Sequence, residues 1–172
     1  MTLTDRNALL DSLIAREWPK LRRFFRTKVP DADVLDLTQE TLLAFVEKQP
    51  DATDHRAYLW GIARRMVLKH YEKVRGSEPF DSATHTTLDV GRSLSSRLDD
   101  RQRLLRALHT LPIDQQIAVE LRHGEELSLE EVAAALGVSL ATVKRYLAAA
   151  ERTLRELLGD EADGVRTLYE RI

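Results

Sequence analysis

The chain has 172 residues, 43% hydrophobic and 31% charged, with a formal net charge of −2 and no cysteine. This is the composition of a soluble globular protein with one ordinary domain or two small ones. It excludes a disulfide framework or a thiolate metal site, and it predicts no strong general affinity for nucleic acid. No apolar run approaches the about 20 residues that span a bilayer. The N-terminal MTLTDRNALLDSLIAREW carries acids early and lacks a signal-peptide core, so a cytoplasmic protein is expected.

Helical periodicity dominates and alternating strand patterns are nearly absent, which predicts an all-α fold. Leu10, Leu13, Ile14, Leu21, Phe24 and Phe25 recur at helical spacing, and Pro19 among them is expected to kink the helix or start a second one. A helix is predicted from about Asp33 to Lys48 with Leu35, Leu42, Phe45 and Val46 inward. QPDATD then breaks the pattern. On that helix Asp33, Asp36, Gln39 and Glu40 form one polar, acidic stripe. From spacing alone a solvated face is the default reading of such a stripe.

Asp54 is a plausible N-cap for a third helix reaching Arg75, with Leu59, Ile62, Ala63, Met66 and His70 facing inward. Between Arg56 and Arg75 the sign inverts, with six cations to one acid, and Tyr58, Trp60 and Tyr71 are interleaved. Arg65, Lys69 and Lys73 repeat every four residues along one side, with Arg64 beside them. Basic stripes among aromatics suit single-stranded nucleic acid, where phosphates meet cations and bases stack on rings. For Tyr58 and Trp60, burial in the core is the commoner outcome.

Residues 76–100, GSEPFDSATHTTLDVGRSLSSRLDD, have the composition of a linker, with five acids and two arginines. At about 25 residues the stretch is too long for a connection within one domain. Two small helical domains, 1–75 and 101–172, joined by a flexible acidic linker are therefore predicted. In the second, Leu104, Leu105, Leu108, Leu111, Ile113, Ile117 and Leu121 restore periodicity around Pro112.

Ser128 and Glu131 then form a capping box, Gly137 ends that helix, and Ser139 caps another that runs to about Leu158. Two helices around a three-residue glycine turn make a helix-turn-helix, with Val132, Leu136, Val138, Val143 and Tyr146 packing between them and Ala133 at their close approach. Its second helix would enter the major groove by its start, where Ser139, Leu140, Ala141, Thr142, Lys144, Arg145 and Ala148 lie. Lys144 and Arg145 suit guanine or phosphate, and Ala141 suits a thymine methyl. Yet residues 125–160 hold seven acids against four cations, a poor balance for gripping phosphates unaided.

DVLDLTQETLLAFVEK resembles the acidic-Gln-Glu helix of bacterial sigma factors, and HRAYLWGIARRMVLKHYEK resembles the promoter-melting helix that follows it. LPIDQQIAVELRHGEELSLEEVAAALGVSLATVKRYL is similar to their promoter-reading domain. With two domains and a short linker the match is to the extracytoplasmic-function group, over about residues 8–158. The resemblance implies that residues 1–75 are a region-two domain and 101–172 a region-four domain. Asp33, Asp36, Gln39 and Glu40 would then dock on core RNA polymerase. Tyr58, Trp60, Arg64, Arg65, Lys69 and Lys73 would hold the minus-ten strand, and the second helix of the helix-turn-helix would read the minus-thirty-five element. It also implies an anti-sigma partner, and no cofactor or metal. Tyr58, Arg65, Lys69 and Tyr146 stand where the family commonly has Trp, Asn, Asp and Arg, so promoter preference does not carry over.

The rival reading is a helix-turn-helix regulator acting without polymerase, which would need a receiver or ligand domain ahead of it. An enzyme is disfavoured: the five histidines show no metal-ligand pair on a helix, and no nucleophile motif occurs. An adaptor that binds polymerase without DNA is disfavoured by the basic stripe. The tail after Leu158 is read as a final helical turn or a regulatory contact.

Overall fold

The computed structural model describes residues 3–48, 54–87 and 100–159. Within them the chain runs α1 (Leu3–Arg26), α2 (Asp31–Lys48), α3 (His55–Arg75), α4 (Asp100–His109), α5 (Ile113–Val119), a π-helical turn (Glu120–Gly124), α6 (Leu129–Leu136) and α7 (Leu140–Leu158). The all-α expectation holds. Among the described residues the single β-type contact is an isolated bridge between Thr86 and Pro112. The break at 49–53 and the tail at 160–172 lie outside the described residues.

Pro19 neither ends α1 nor starts a new helix, since α1 continues through it to Arg26. An internal proline costs about 3 kcal/mol. Here it sits on the exposed side, while Leu13, Leu21, Phe24 and Phe25 are buried on the other. That burial, at about 1.5–3 kcal/mol per large side chain, outweighs the proline.

The inner face of α2 is rotated from the expected one. Leu42 and Phe45 are buried, but Leu35 is 47% and Val46 37% exposed, and Val34, Thr38 and Thr41 take the inner positions. The two threonines satisfy their hydroxyls on the carbonyls one turn back, Val34 and Leu37, at 2.7 Å each. A polar residue can therefore face the core of a helix, which a hydrophobic count misses.

α3 begins as expected, with Asp54 accepting from the Ala57 amide at 2.9 Å. Leu59, Ile62 and Ala63 are buried, while Met66 and His70 are only partly so. Trp60, Gly61, Val67 and Tyr71 are buried as well, so α3 is covered on two sides. α1 and α2 pack on one side, and α6 packs on the other. One apolar cluster accordingly runs from Leu13, Phe24 and Phe45 through Trp60 and Ile62 to Ile113, Ile117, Val132, Ala135 and Leu136. A second cluster, Leu104, Leu108, Leu111, Val119, Ala150, Leu154 and Leu158, holds α4, α5 and α7 together.

Of the predicted linker, residues 88–99 lie outside the described residues, and 76–87 form a fixed strap. Phe80 packs edge-on to Tyr71 at 5.9 Å and stacks on His85 at 5.5 Å. The His85 and Ser82 carbonyls accept from the Ile113 and Asp114 amides at 2.9 and 3.0 Å, so the strap is hydrogen-bonded to the first turn of α5.

The helix-turn-helix has the expected caps. The Ser128 hydroxyl accepts from the Glu131 amide at 3.1 Å, and the Glu131 carboxylate accepts from the Ser128 amide at 2.6 Å. Gly137 adopts the left-handed conformation, φ 68° and ψ 34°, that a side chain would strain. Ser128→Ala removes one half of the capping box and should lower unfolding free energy by about 1 kcal/mol, measured by urea denaturation followed by circular dichroism. An unchanged midpoint would show that α6 does not depend on its cap.

Candidate functional site

On α2, Asp36, Gln39 and Glu40 are exposed and Asp33 is half-buried. Leu43, 61% exposed, extends this stripe by one turn, and Leu35 flanks it. The groove beside it, between α2 and α3, is lined by Asp33, Asp36, Leu37, Glu40, Met66, Lys69, His70 and Lys73, so acids face cations across it. Partial burial lowers the His70 pKa below 6.5, and Lys73 adds to this while Asp33 opposes it.

The six residues expected to meet a single strand divide into two sets. Arg65, Lys69 and Lys73 are exposed. Tyr58 is half-buried, tilted against Phe45 at 6.3 Å. Trp60 is 0% exposed, edge-on to Phe24 at 5.3 Å. Arg64 donates from Nε and Nη2 to Oδ1 of Asp114 on α5, at 3.0 and 2.8 Å. In this arrangement Trp60 is a core residue packed on α1, and Arg64, partly exposed, is engaged in the contact between the two halves of the chain.

That contact has a small-residue centre and a charged rim. A Cβ built on Gly61 would stand 3.4 Å from the Ala135 carbonyl oxygen and 3.7 Å from its Cα, so the axes of α3 and α6 lie close together. Around this point Arg23 pairs with Glu125 at 2.8 Å, and Arg56 donates to the Glu125 carbonyl and lies 3.9 Å from Glu131. Lys28, fully buried, pairs with Glu120, which also accepts from Thr27 at 3.1 Å. His109 donates from Nε2 to the Thr27 carbonyl at 2.6 Å. Burial pushes the Glu125 carboxyl above the usual range, against the pull of Arg23. Sequence reading picked out none of Gly61, Asp114, Glu120 or Glu125. Gly61 alone carried a signal, because glycine inside a helix costs about 1 kcal/mol and implies a close approach.

In the helix-turn-helix the axis turns by 100° between α6 and α7. Ser139 caps α7, accepting from the Thr142 amide at 3.1 Å. Ala141, Lys144, Arg145 and Ala148 are exposed, and Leu140 and Thr142 are partly covered. Val132, Leu136 and Val143 are buried, and Val138 and Tyr146 pack partly buried against the same cluster. A mostly polar, shallow face at the start of α7 is thus presented outward on a fixed core.

Residues 101–154 match the family model described as Sigma-70, region 4. Over 140 residues the chain is 35% identical to an RNA polymerase sigma-E factor of Streptomyces avermitilis, covering 80% of this chain and 78% of the relative. It is 32% identical over 163 residues to the ECF RNA polymerase sigma factor EcfG of Rhodopseudomonas palustris, covering 92% and 88%. The chain belongs to the extracytoplasmic-function RNA polymerase sigma factors. A solved structure of the sigma factor RpoE in complex with the anti-sigma factor NepR, from Bartonella quintana, superposes with a TM-score of 0.66 at 25% identity, covering 88% of this chain and 97% of that one. As a sigma factor the protein binds core RNA polymerase and directs promoter-specific initiation. Among the described residues no single helix is long and apolar enough to cross a membrane.

Two histidines of this sigma factor, His70 in the α2–α3 groove and His123 in the π-turn, are held below 6.5 mainly by burial. At these two sites the folded protein binds fewer protons than the unfolded chain, so their contribution to stability is lost as pH falls through about 6.5 towards the folded values. The raised Glu125 carboxyl works in the opposite direction nearer the carboxylate range. The urea midpoint should drop between pH 7.5 and 5.5, and the paired substitution His70→Gln, His123→Gln should reduce that drop. An equal drop in both proteins would assign the pH dependence elsewhere.

Proposed function

We propose that the surfaces of this sigma factor divide the work of initiation by residue. The domain with α1–α3, residues 1–75, docks on core polymerase through Asp33, Asp36, Gln39 and Glu40. The outward side of α3, Arg65, Lys69 and Lys73, holds the melted minus-ten strand, joined by the half-buried Tyr58 and by Arg64 when it parts from Asp114, while Trp60 supports the helix from within the core. The domain 101–172 reads the minus-thirty-five element with Ser139, Leu140, Ala141, Thr142, Lys144, Arg145 and Ala148.

The observation that carries the docking assignment is the exposed apolar pair Leu35 and Leu43 set beside exposed Asp36, Gln39 and Glu40. Leucines left in water next to a fixed acidic row suit a protein partner better than a solvated face. The reading involves no catalysed step by this chain, places it in the cytoplasm with the polymerase, and includes an anti-sigma factor as a partner, as for the neighbour solved with NepR.

A helix-turn-helix with seven acids to four cations in residues 125–160 suits DNA reading only when tethered. Core polymerase supplies phosphate contacts, and tethering raises the effective concentration of the module to about millimolar. Acids elsewhere on the module discourage binding to random DNA.

Asp36→Arg combined with Glu40→Arg should weaken core binding by at least about 30-fold, from a loss of about 2–5 kcal/mol for a buried interfacial charge contact. Helicity should be unchanged, because both side chains are exposed. Co-purification with core polymerase at wild-type affinity would overturn the docking assignment. Lys144→Ala should leave core affinity intact and reduce holoenzyme discrimination at the minus-thirty-five element by about 1–3 kcal/mol. Band shifts on promoter and scrambled duplexes measure this, and unchanged discrimination would remove Lys144 from the reading set.

A further inference from the structure

The groove between α4 and the last turn of α7 is lined by Arg103, Arg106, Ala107, Thr110, Leu157 and Leu158 and offers about 230 Å³. That is below the about 300–1,000 Å³ of small-molecule sites, and it suits inserted side chains. Its floor is apolar: Ala107 and Leu158 belong to the second cluster, and Leu157 stands 49% exposed at the edge. Its α4 wall is basic, with Arg103 and Arg106 three residues apart on one side of the helix. None of these residues belongs to the docking, strand-holding or promoter-reading sets proposed above.

The chain that follows α7 carries the complementary pattern. In residues 160–172, Val165, Leu168, Tyr169 and Ile172 fall at i, i+3, i+4 and i+7, the spacing of one apolar helix face. Four acids stand against two arginines, and three of the acids, Asp160, Glu161 and Asp163, come first. Acids just past a helix C-terminus meet the negative end of its dipole, so a straight continuation of α7 is unfavourable unless cations lie close by. Arg103 and Arg106 are such cations. Gly159, at φ 61°, turns the chain off the axis of α7 in a conformation that glycine adopts freely. Leu157 and Leu158, immediately before it, already line the groove, so no spacer is needed to reach it.

We propose that residues 160–172 fold back on this groove as its intramolecular occupant. Val165, Leu168, Tyr169 and Ile172 then pack on Ala107 and Leu157, and the leading acids face Arg103 and Arg106. A helix from Val165 to Ile172 spans about 12 Å against about 15 Å for α4, so one turn-back is long enough to cover the groove. The covered side is remote from the promoter-reading set: Ala148 and Leu157 lie about two and a half turns apart on α7, on opposite sides of the helix. The segment thereby removes from solvent an apolar edge that would otherwise invite association.

Amide hydrogen exchange on the full chain tests this. Expected is exchange across residues 165–172 at least about tenfold slower than in a free peptide of the same sequence. Leu157→Asp in the groove and, separately, Leu168→Asp in the segment should each return those amides to peptide rates. Leu157 is exposed, so its substitution leaves the domain folded, which far-UV circular dichroism checks. Arg103→Glu with Arg106→Glu should reduce protection by about threefold, the size of an exposed ion pair. Adding Asp160→Arg, Glu161→Arg and Asp163→Arg should restore it, and failure of that rescue overturns the charge pairing. Peptide-like exchange in the wild-type chain, or protection that survives Leu157→Asp, overturns the proposal. Protection that disappears on dilution assigns the groove to the same segment of a second copy and overturns the intramolecular arrangement.

Discussion

The close approach of α3 to α6 is the constraint on which the remaining arrangement depends. It requires a residue without a side chain at Gly61 and a small one at Ala135, because their backbones are separated by little more than a methyl group. Given that approach, the apolar sides of two three-helix units merge into one cluster, and Trp60 and Ile117 end in the same interior. Neither half buries this surface alone. The strap follows from the same contact: once α5 is brought beside α3, Ser82 and His85 find backbone partners at its first turn.

The ions at the contact are better understood as fixing position than as adding stability. Lys28, Glu120 and Glu125 are almost wholly buried, and removing such groups from water consumes most of what their attraction returns. Both glutamates reach the end of α1 because the chain between them is a π-turn. In an i→i+5 turn, residues five apart come nearly above one another, whereas in an α-helix they would diverge. Glu120 meets Thr27 and Lys28 there, and Glu125 meets Arg23. Sliding the domains past one another would strand these charges unpaired, so the contact tolerates one register and resists near neighbours.

Much of this was legible in the sequence where the information is local. The capping box at Ser128 and Glu131, the left-handed Gly137, the cap at Ser139 and the span of α3 all followed from side chains hydrogen-bonding within a few positions. The inner face of α2 did not, because Thr38 and Thr41 bury their hydroxyls against their own helix and take places that a hydrophobic count awards to Leu35 and Val46. The basic stripe was visible as Arg65, Lys69 and Lys73, and burial was the commoner outcome expected of Trp60, but the ion pair that occupies Arg64 was not. Periodicity shows that a helix has a second apolar side and cannot show that a domain some 50 residues later will cover it. The π-turn left no mark either, since it reflects packing rather than composition.

The strap makes the connection between the domains a leash of two lengths. With residues 76–87 pinned to α5, twelve residues separate Thr87 from Asp100, a contour of at most about 40–43 Å. Unpinned, the twenty-four residues between Arg75 and Asp100 reach about 79–86 Å. Each doubling of such a loop adds only about 0.6 kcal/mol of closure entropy. The longer leash is therefore thermodynamically inexpensive, and the few hydrogen bonds around Ser82, His85 and Asp114 govern how far apart the two helical units can move.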